Sequence, residues 1–150
     1  MFVHDFSPVS KPVDEAVRCF GVAATAPALA EIIKRAWNDE APVLAAFVVD
    51  QPRGVTASHV AVELRGHRLR GDAAIVNLRW HGDGWLPELD ADLEIVAFGR
   101  HATHLHLMGR YELPECVDRF GPTGSLLHRV MVVVVRQFLT DLGHLLAQPV

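Results

Sequence analysis

The spacing of apolar residues changes from a helical to a strand-like period along the chain. After a short alternation at Phe2–Phe6, apolar positions recur every three or four residues in two segments, Val13–Phe20 and Ala26–Trp37. From residue 43 to residue 112 apolar and polar residues alternate, and turn residues interrupt the alternation at strand-like intervals. The pattern predicts one strand, two short helices and an antiparallel meander.

Five strands are predicted in the meander. Gly21 is expected to end the first helix and the run Asn38–Pro42 to end the second. The predicted strands are Val43–Asp50, Ser58–Arg65, Asp72–His81, Glu88–Phe98 and Ala102–Glu112, with turns at Pro52–Gly54, Gly66–Gly71, Gly82–Gly84 and Gly99–His101. The N-terminal strand makes six, and a seventh near Val55–Ala57 is an alternative.

The last hairpin has a register that both of its faces support. Pairing Phe98 with Ala102 makes one face apolar and places opposite charges on the other. The pairs on the apolar face are Ala91 with Gly109, Leu93 with Leu107 and Ile95 with Leu105, and those on the other face are Glu94 with His106 and Asp90 with Arg110. A slip by one residue would destroy both patterns.

The same parity predicts which side chains of the earlier strands point inward. The inward set is Val60, Val62, Leu64, Val76, Leu78 and Trp80. Arg65, Asn77 and Arg79 are then expected to point outward.

The final segment, Ser125 to Ala147, has conflicting local signals. The run Val130–Val135 is rich in β-branched residues, which favours a strand. Its length and an apolar stripe favour a helix, and Ser125 is a reasonable N-cap. The stripe comprises Leu127, Met131, Val134, Phe138, Leu142 and Leu145. We therefore predict a long C-terminal helix that covers the sheet.

Length, composition and charge are typical of one globular domain spanning residues 1–150. The chain is 50% hydrophobic and 21% charged, with a formal net charge of −4. Clustered lysine and arginine are absent apart from Arg65, His67, Arg68 and Arg70, which we interpret as a solvated turn, so nucleic-acid binding is not expected.

The N-terminus lacks the pattern of a signal peptide, and Cys19 and Cys116 have no paired spacing, so the protein is expected to be cytoplasmic with reduced thiols. The longest apolar run, Val130–Val135, is far shorter than the ~20 residues that cross a bilayer, so no membrane span is predicted.

Candidate chemistry is sparse. His101, His104 and His106 with Glu94 are residue types that suit zinc, but they lie on the predicted outer face, where surface pairing explains them without a metal. The inward positions of the meander contain no Asp, Glu, Lys or His, and His128 is given no role. Neither glycine cluster has the spacing of a phosphate-binding loop. No metal, no cofactor and no catalytic residue is predicted.

Three stretches of the meander carry a resemblance to a known superfamily. They are Leu78–Trp80 before a glycine turn, Leu86–Leu93, and Leu105–Tyr111 followed by Pro114. With the order strand, two helices, meander and long helix, the chain resembles the START-like or SRPBCC superfamily of the polyketide cyclase/dehydrase and lipid transport type. The resemblance implies an α+β helix-grip fold, in which a curved antiparallel sheet of about six to seven strands wraps around the C-terminal helix.

The resemblance also implies an apolar cavity for a small hydrophobic ligand, lipid or polyketide-like, between the sheet and the terminal helix. The expected lining is Val62, Val76, Leu78, Trp80, Leu93, Ile95, Leu105, Leu107, Tyr111, Met131, Val134 and Phe138. Two alternatives stay open, a cyclase/aromatase-type enzyme that uses Tyr111, and a protein-interaction module that uses the outer sheet face. The small number of polar residues at inward positions favours a binding protein over an enzyme.

Oligomeric state is open, with an N-terminal edge strand that could pair two copies in a homodimer.

Overall fold

The computed structural model describes residues 1–46, 54–70, 73–115, 117–118 and 120–148, with the backbone only at 67, 69 and 70. These residues form β1 (Phe2–Val9), α1 (Val13–Ala23), α2 (Ala26–Ala45), β2 (Val60–Arg70), β3 (Ala73–Gly82), β4 (Glu88–Ala97), β5 (Thr103–Glu112) and α3 (Pro122–Ala147). The predicted α+β class, with two helices after the first strand and a long terminal helix, is confirmed.

The strands form one antiparallel sheet in the order β1-β5-β4-β3-β2. The register of the last hairpin is the predicted one, with Leu93 opposite Leu107 and Glu94 opposite His106. The amide N–H of Phe98 donates to the carbonyl oxygen of Ala102 at 2.9 Å, which closes that hairpin. One face of the sheet packs against α3 and α2, and the other face is open to solvent. The helix-grip arrangement therefore follows from the alternation read along β4 and β5.

The described part of the chain contains five strands, fewer than the six to seven expected. The predicted strand Val43–Asp50 is wrong at its start, because α2 continues through Pro42 to Ala45. Ala41 and Leu44 are fully buried in the core, and this burial outweighs the backbone hydrogen bond that Pro42 cannot donate. The remainder of that predicted strand, 47–50, and most of the turn Pro52–Gly54 lie outside the described residues.

The segment Val55–Ala57 is not a strand, although backbone groups of Val55 and Ala57 form hydrogen bonds. The indole N–H of Trp37 donates to the carbonyl oxygen of Val55 at 2.8 Å. The side-chain amide of Asn38 donates to the carbonyl oxygen of Ala57 at 2.9 Å and accepts from its N–H at 2.8 Å. Two side chains of α2 therefore hold this segment, and no sheet partner is needed.

The predicted turn Gly66–Gly71 is wrong at its start, because β2 continues to Arg70. The pairing of β2 with β3 shifts between Leu64 and His67, which places a β-bulge at Gly66. Gly66 has a φ of 151°, a conformation that residues with a Cβ rarely adopt. Glycine here marks an irregularity inside a strand and does not end it.

Helix boundaries differ from prediction at two glycines. Gly21 lies inside α1, which ends at Ala23. Gly121, and not Ser125, is the N-cap of α3, with Pro122 in the first turn, where its missing N–H removes no hydrogen bond. The helix prediction for the valine run is confirmed, and all members of the predicted stripe are buried except Leu145, which is partly exposed.

The helix α3 is long and apolar enough to cross a membrane, although its valine run, Val130–Val135, is by itself too short to do so. Half of its most apolar window is buried inside the protein. The guanidinium of Arg136 on its exposed side donates to Asp5 of β1 at 3.0 Å. A core helix of a globular domain has this composition because it must fill the concave side of a sheet.

Candidate functional site

The inner face of the sheet and the facing side of α3 form one apolar interior. The structure places every residue of the predicted cavity lining there, and most have no exposed surface. The least buried are Val62 at 9% and Val76 at 3% relative exposure. The set is Val62, Val76, Leu78, Trp80, Leu93, Ile95, Leu105, Leu107, Tyr111, Met131, Val134 and Phe138.

The centre of this interior is closely packed. The rings of Trp80 and Phe138 meet edge to face, with their centroids 5.5 Å apart. The indole N–H of Trp80 donates to the carbonyl oxygen of Pro87 at 3.2 Å, so its one polar atom is satisfied by the backbone. A ligand that reaches this centre must therefore move side chains aside.

An apolar cleft opens between α1 and the bulged part of β2. Its volume is about 280 Å³, close to the lower end of ordinary small-molecule sites. The lining residues are Val17, Phe20, Gly21, Leu64, Gly66 and Val76. We call this the α1 cleft. Val76 belongs both to the cleft and to the predicted cavity lining.

The sequence interpretation missed the α1 cleft because it took Gly66 for a turn residue. Leu64 keeps its inward parity opposite Leu78, and it is exposed because it lines the open cleft just before the bulge. Gly21 leaves space on the opposite wall, since a Cβ built there would meet no atom within 4 Å. The signal that could have revealed the cleft is a glycine within an otherwise regular strand.

A tyrosine–histidine pair lies at one end of the interior. The phenol oxygen of Tyr111, at the end of β5, is hydrogen-bonded to Nδ1 of His128 on α3. The two rings are stacked with an interplanar angle of 13°. Burial raises the pKa of the Tyr111 phenol to about 12, because the phenolate is poorly solvated there. The phenol is thus neutral and able to donate to Nδ1 whenever that nitrogen is unprotonated.

The structure therefore brings together Tyr111, which the sequence identified, and His128, to which it gave no role. The two residues are separated by the loop between β5 and α3, so no local motif links them. A phenol hydrogen-bonded to an imidazole is a combination with recognisable acid–base chemistry.

The histidines considered for zinc lie on the outer face, as the parity predicted. His104 stacks on Phe98, with ring centroids 4.0 Å apart, and His104 and His106 are partly exposed. Among the described residues, no group of three or more His, Cys, Asp or Glu side chains is arranged to hold a metal ion.

Comparison with known proteins identifies the fold and nothing finer. No family model matches the chain. No curated protein matches it either. Among solved structures, a conserved protein from Geobacillus kaustophilus aligns with a TM-score of 0.57 at 9% identity, covering 96% of this chain and 93% of that one.

Two further solved structures overlap with lower scores. A START superfamily protein from Mycobacterium smegmatis gives a TM-score of 0.47 at 12% identity, covering 96% of this chain and 98% of that one. The Zhui aromatase/cyclase from a Streptomyces species gives 0.39 at 13% identity, covering 95% and 93%. Identities this low concern the fold alone.

Proposed function

We propose that this chain, which has the START-like helix-grip fold, binds one small hydrophobic molecule of lipid or polyketide type between its sheet and its helices. The observation that supports the proposal is the α1 cleft, which is open to solvent and shares Val76 with the apolar interior. Concave apolar sites with few polar groups are the usual form of such binding sites.

Uptake through the α1 cleft requires one wall to move, because the centre of the interior is closely packed. Helix α1 buries only Ala16, Cys19 and Phe20, whereas α3 buries eleven residues along its length. Displacing α1 therefore exposes much less apolar surface than displacing α3. We infer that α1 is the movable wall and that Phe20 leaves the interior as the ligand enters.

Filling the α1 cleft is expected to weaken ligand binding. In Gly21→Leu the new side chain occupies the cleft and meets no atom at its Cβ. The fluorescent apolar probe anilinonaphthalene sulfonate should then bind about tenfold more weakly, as a loss of ~1.4 kcal/mol implies. Stability should rise by about 0.5–1 kcal/mol, because glycine is a poor helix residue.

The control is Val22→Leu, which enlarges the neighbouring and exposed side chain of α1 outside the cleft. It should bind the probe as the unaltered protein does. Equal probe affinity in Gly21→Leu and Val22→Leu would remove the α1 cleft from the proposal. Native mass spectrometry after gentle purification would independently reveal a bound molecule.

A second candidate function, an acid–base enzyme of the cyclase/aromatase type, is favoured by the Tyr111–His128 pair. When Nδ1 carries the proton, the imidazole donates to the phenol oxygen, so the phenol O–H is free to give its proton to a substrate carbonyl oxygen and the Nδ1 proton replaces it. The described inward positions of β2 to β5 have no carboxylate or lysine beside this pair, which favours ligand binding over catalysis.

Replacing Tyr111 by phenylalanine separates the two functions. An enzyme should lose turnover of a short β-keto thioester by about a hundredfold or more, the usual contribution of a general acid. A binding protein should keep its affinity for anilinonaphthalene sulfonate within about twofold, because the ring that packs in the core is retained. If the unaltered protein shows no turnover, the enzymatic candidate is rejected.

Cytoplasmic localisation and the lack of a cofactor stay predictions.

A further inference from the structure

Strand β2 forms one edge of the sheet, and half of its backbone groups face away from the sheet. At its start the N–H of Asp83 donates to the carbonyl oxygen of His59 at 3.2 Å. Because hydrogen-bonded and non-hydrogen-bonded pairs alternate in an antiparallel ladder, Val60, Val62 and Leu64 direct their N–H and C=O groups away from β3. No other backbone group among the described residues bonds to these atoms. This part of β2 therefore offers unoccupied hydrogen bonds to a further strand.

The opposite edge of the sheet, β1, is protected against such pairing. Met1 and Tyr111 exchange backbone hydrogen bonds of 2.9 Å in both directions, so by the same alternation Phe6 and Pro8 direct their backbone groups to the free edge. Pro8 has no N–H, and the N–H of Phe6 donates to the Asp5 carboxylate at 2.8 Å. Residues 60–64 of β2 contain no proline. The β2 edge is therefore better suited than the β1 edge to adding a strand.

The side chains along this part of β2 form an apolar inner row and a charged outer row. Val62 and Leu64 lie on the inner side, and Leu64 is 39% exposed. On the outer side the guanidinium of Arg65 lies 3.4 Å from the Glu63 carboxylate and 3.8 Å from that of Asp90. The side chains of Arg65 and Glu63 are 40% and 55% exposed. Each charged group therefore keeps a solvent-facing side that can meet a further opposite charge.

These charges distinguish between the registers in which two β2 edges could pair about a two-fold axis. An axis at Glu63 places each Glu63 opposite its own copy, which is unfavourable. An axis at Val62 places Glu63 opposite the partner's Ala61, which adds no charge interaction. An axis at Leu64 places each Glu63 opposite the partner's Arg65, and the two Leu64 residues then exchange both of their backbone hydrogen bonds. The register about Leu64 thus joins the free backbone groups and makes opposite charges meet.

We propose that two copies of this chain associate through their β2 edges, antiparallel about a two-fold axis at Leu64, so that their five-stranded sheets become continuous. The two exposed Leu64 side chains cover each other on the inner side. On the outer side Glu63 and Arg65 of both copies form a network of alternating charge. Pairing over so few residues gives a weak, reversible dimer. The interface goes beyond ligand binding and does not depend on it.

Sedimentation velocity of the intact chain tests which edge pairs. The unaltered protein should dimerise with a dissociation constant in the micromolar range. Leu64→Pro removes an N–H that points to the free edge and that the ladder with β3 does not use, so it should abolish the dimer. Phe6→Pro is the same change on the β1 edge and should leave the dimer intact. Circular dichroism melting confirms that each variant is folded.

Two results would overturn the interface. One is an unaltered protein that stays monomeric at its highest soluble concentration. The other is a folded Leu64→Pro variant that dimerises as tightly as the unaltered chain.

A charge exchange tests the register about Leu64. In E63R the new arginine lies opposite the partner's Arg65, and in R65E the new glutamate lies opposite the partner's Glu63. Each variant alone should raise the dimer dissociation constant by at least about tenfold, because like charges then meet twice. Mixed E63R and R65E chains should form a heterodimer, and E63R/R65E should dimerise as the unaltered chain does, since opposite charges meet again. Failure of both recoveries in folded chains overturns this register.

Discussion

Replacing Phe138 by alanine is expected to lower the free energy of unfolding by about 3–5 kcal/mol. The side chain is fully buried at the centre of α3 and meets Trp80 edge to face at 5.5 Å. Its loss removes both apolar burial and an aromatic contact, and the surrounding strands cannot collapse to fill the space. Urea denaturation monitored by tryptophan fluorescence would measure the change.

Val133→Ala is the matched control for this substitution, because Val133 lies on the same helix and is 43% exposed. Its stability should change by no more than about 0.5 kcal/mol. The space left in Phe138→Ala lies in the predicted ligand cavity, so this variant should also bind small aromatic molecules such as benzene. A loss of stability under about 1 kcal/mol would mean that the centre of the interior is not closely packed.

Gly84→Ala is expected to destabilise the protein by about 2–4 kcal/mol, through backbone strain and a steric clash together. Gly84 has a φ of 66°, and a Cβ built on it would lie 2.1 Å from the carbonyl oxygen of Thr56. The turn that contains Gly84 holds the Val55–Ala57 segment, since the N–H of Trp85 donates to Val55 at 3.3 Å. Thermal melting would measure the loss.

Gly99→Ala separates the two contributions to that loss. Gly99 has a φ of 77°, yet a Cβ there meets no atom within 4 Å. It should cost only the backbone strain, about 1–2 kcal/mol. Equal losses of stability in Gly84→Ala and Gly99→Ala would show that the Val55–Ala57 segment moves away from the new Cβ at no cost in free energy.

Prediction from sequence succeeded where neighbours along the chain determine the structure. The β4–β5 hairpin has a short turn, so its register follows from the alternation of apolar residues and from the opposite charges at Asp90 and Arg110. The helix α3 was predicted against its valine run because its length and its apolar stripe together outweighed local β-propensity.

Prediction failed where contacts between residues far apart in the chain decide the local structure. Pro42 was expected to end α2, but the burial of Leu44 continues the helix past it. Gly66 was taken for a turn, but the pairing of β2 with β3 resumes beyond it at His67. In each case the local preference is worth about a few kcal/mol at most, and tertiary packing can exceed it.

The sequence by itself determined the fold class, the order of the elements, the register of the last hairpin and the division of the sheet into an apolar and a polar face. Each of these depends on the period of apolar residues, which is a property of consecutive positions. Only the tertiary structure decided where the α1 cleft opens and that Tyr111 meets His128. These features join side chains from elements far apart in the chain, and their geometry depends on how those elements pack together.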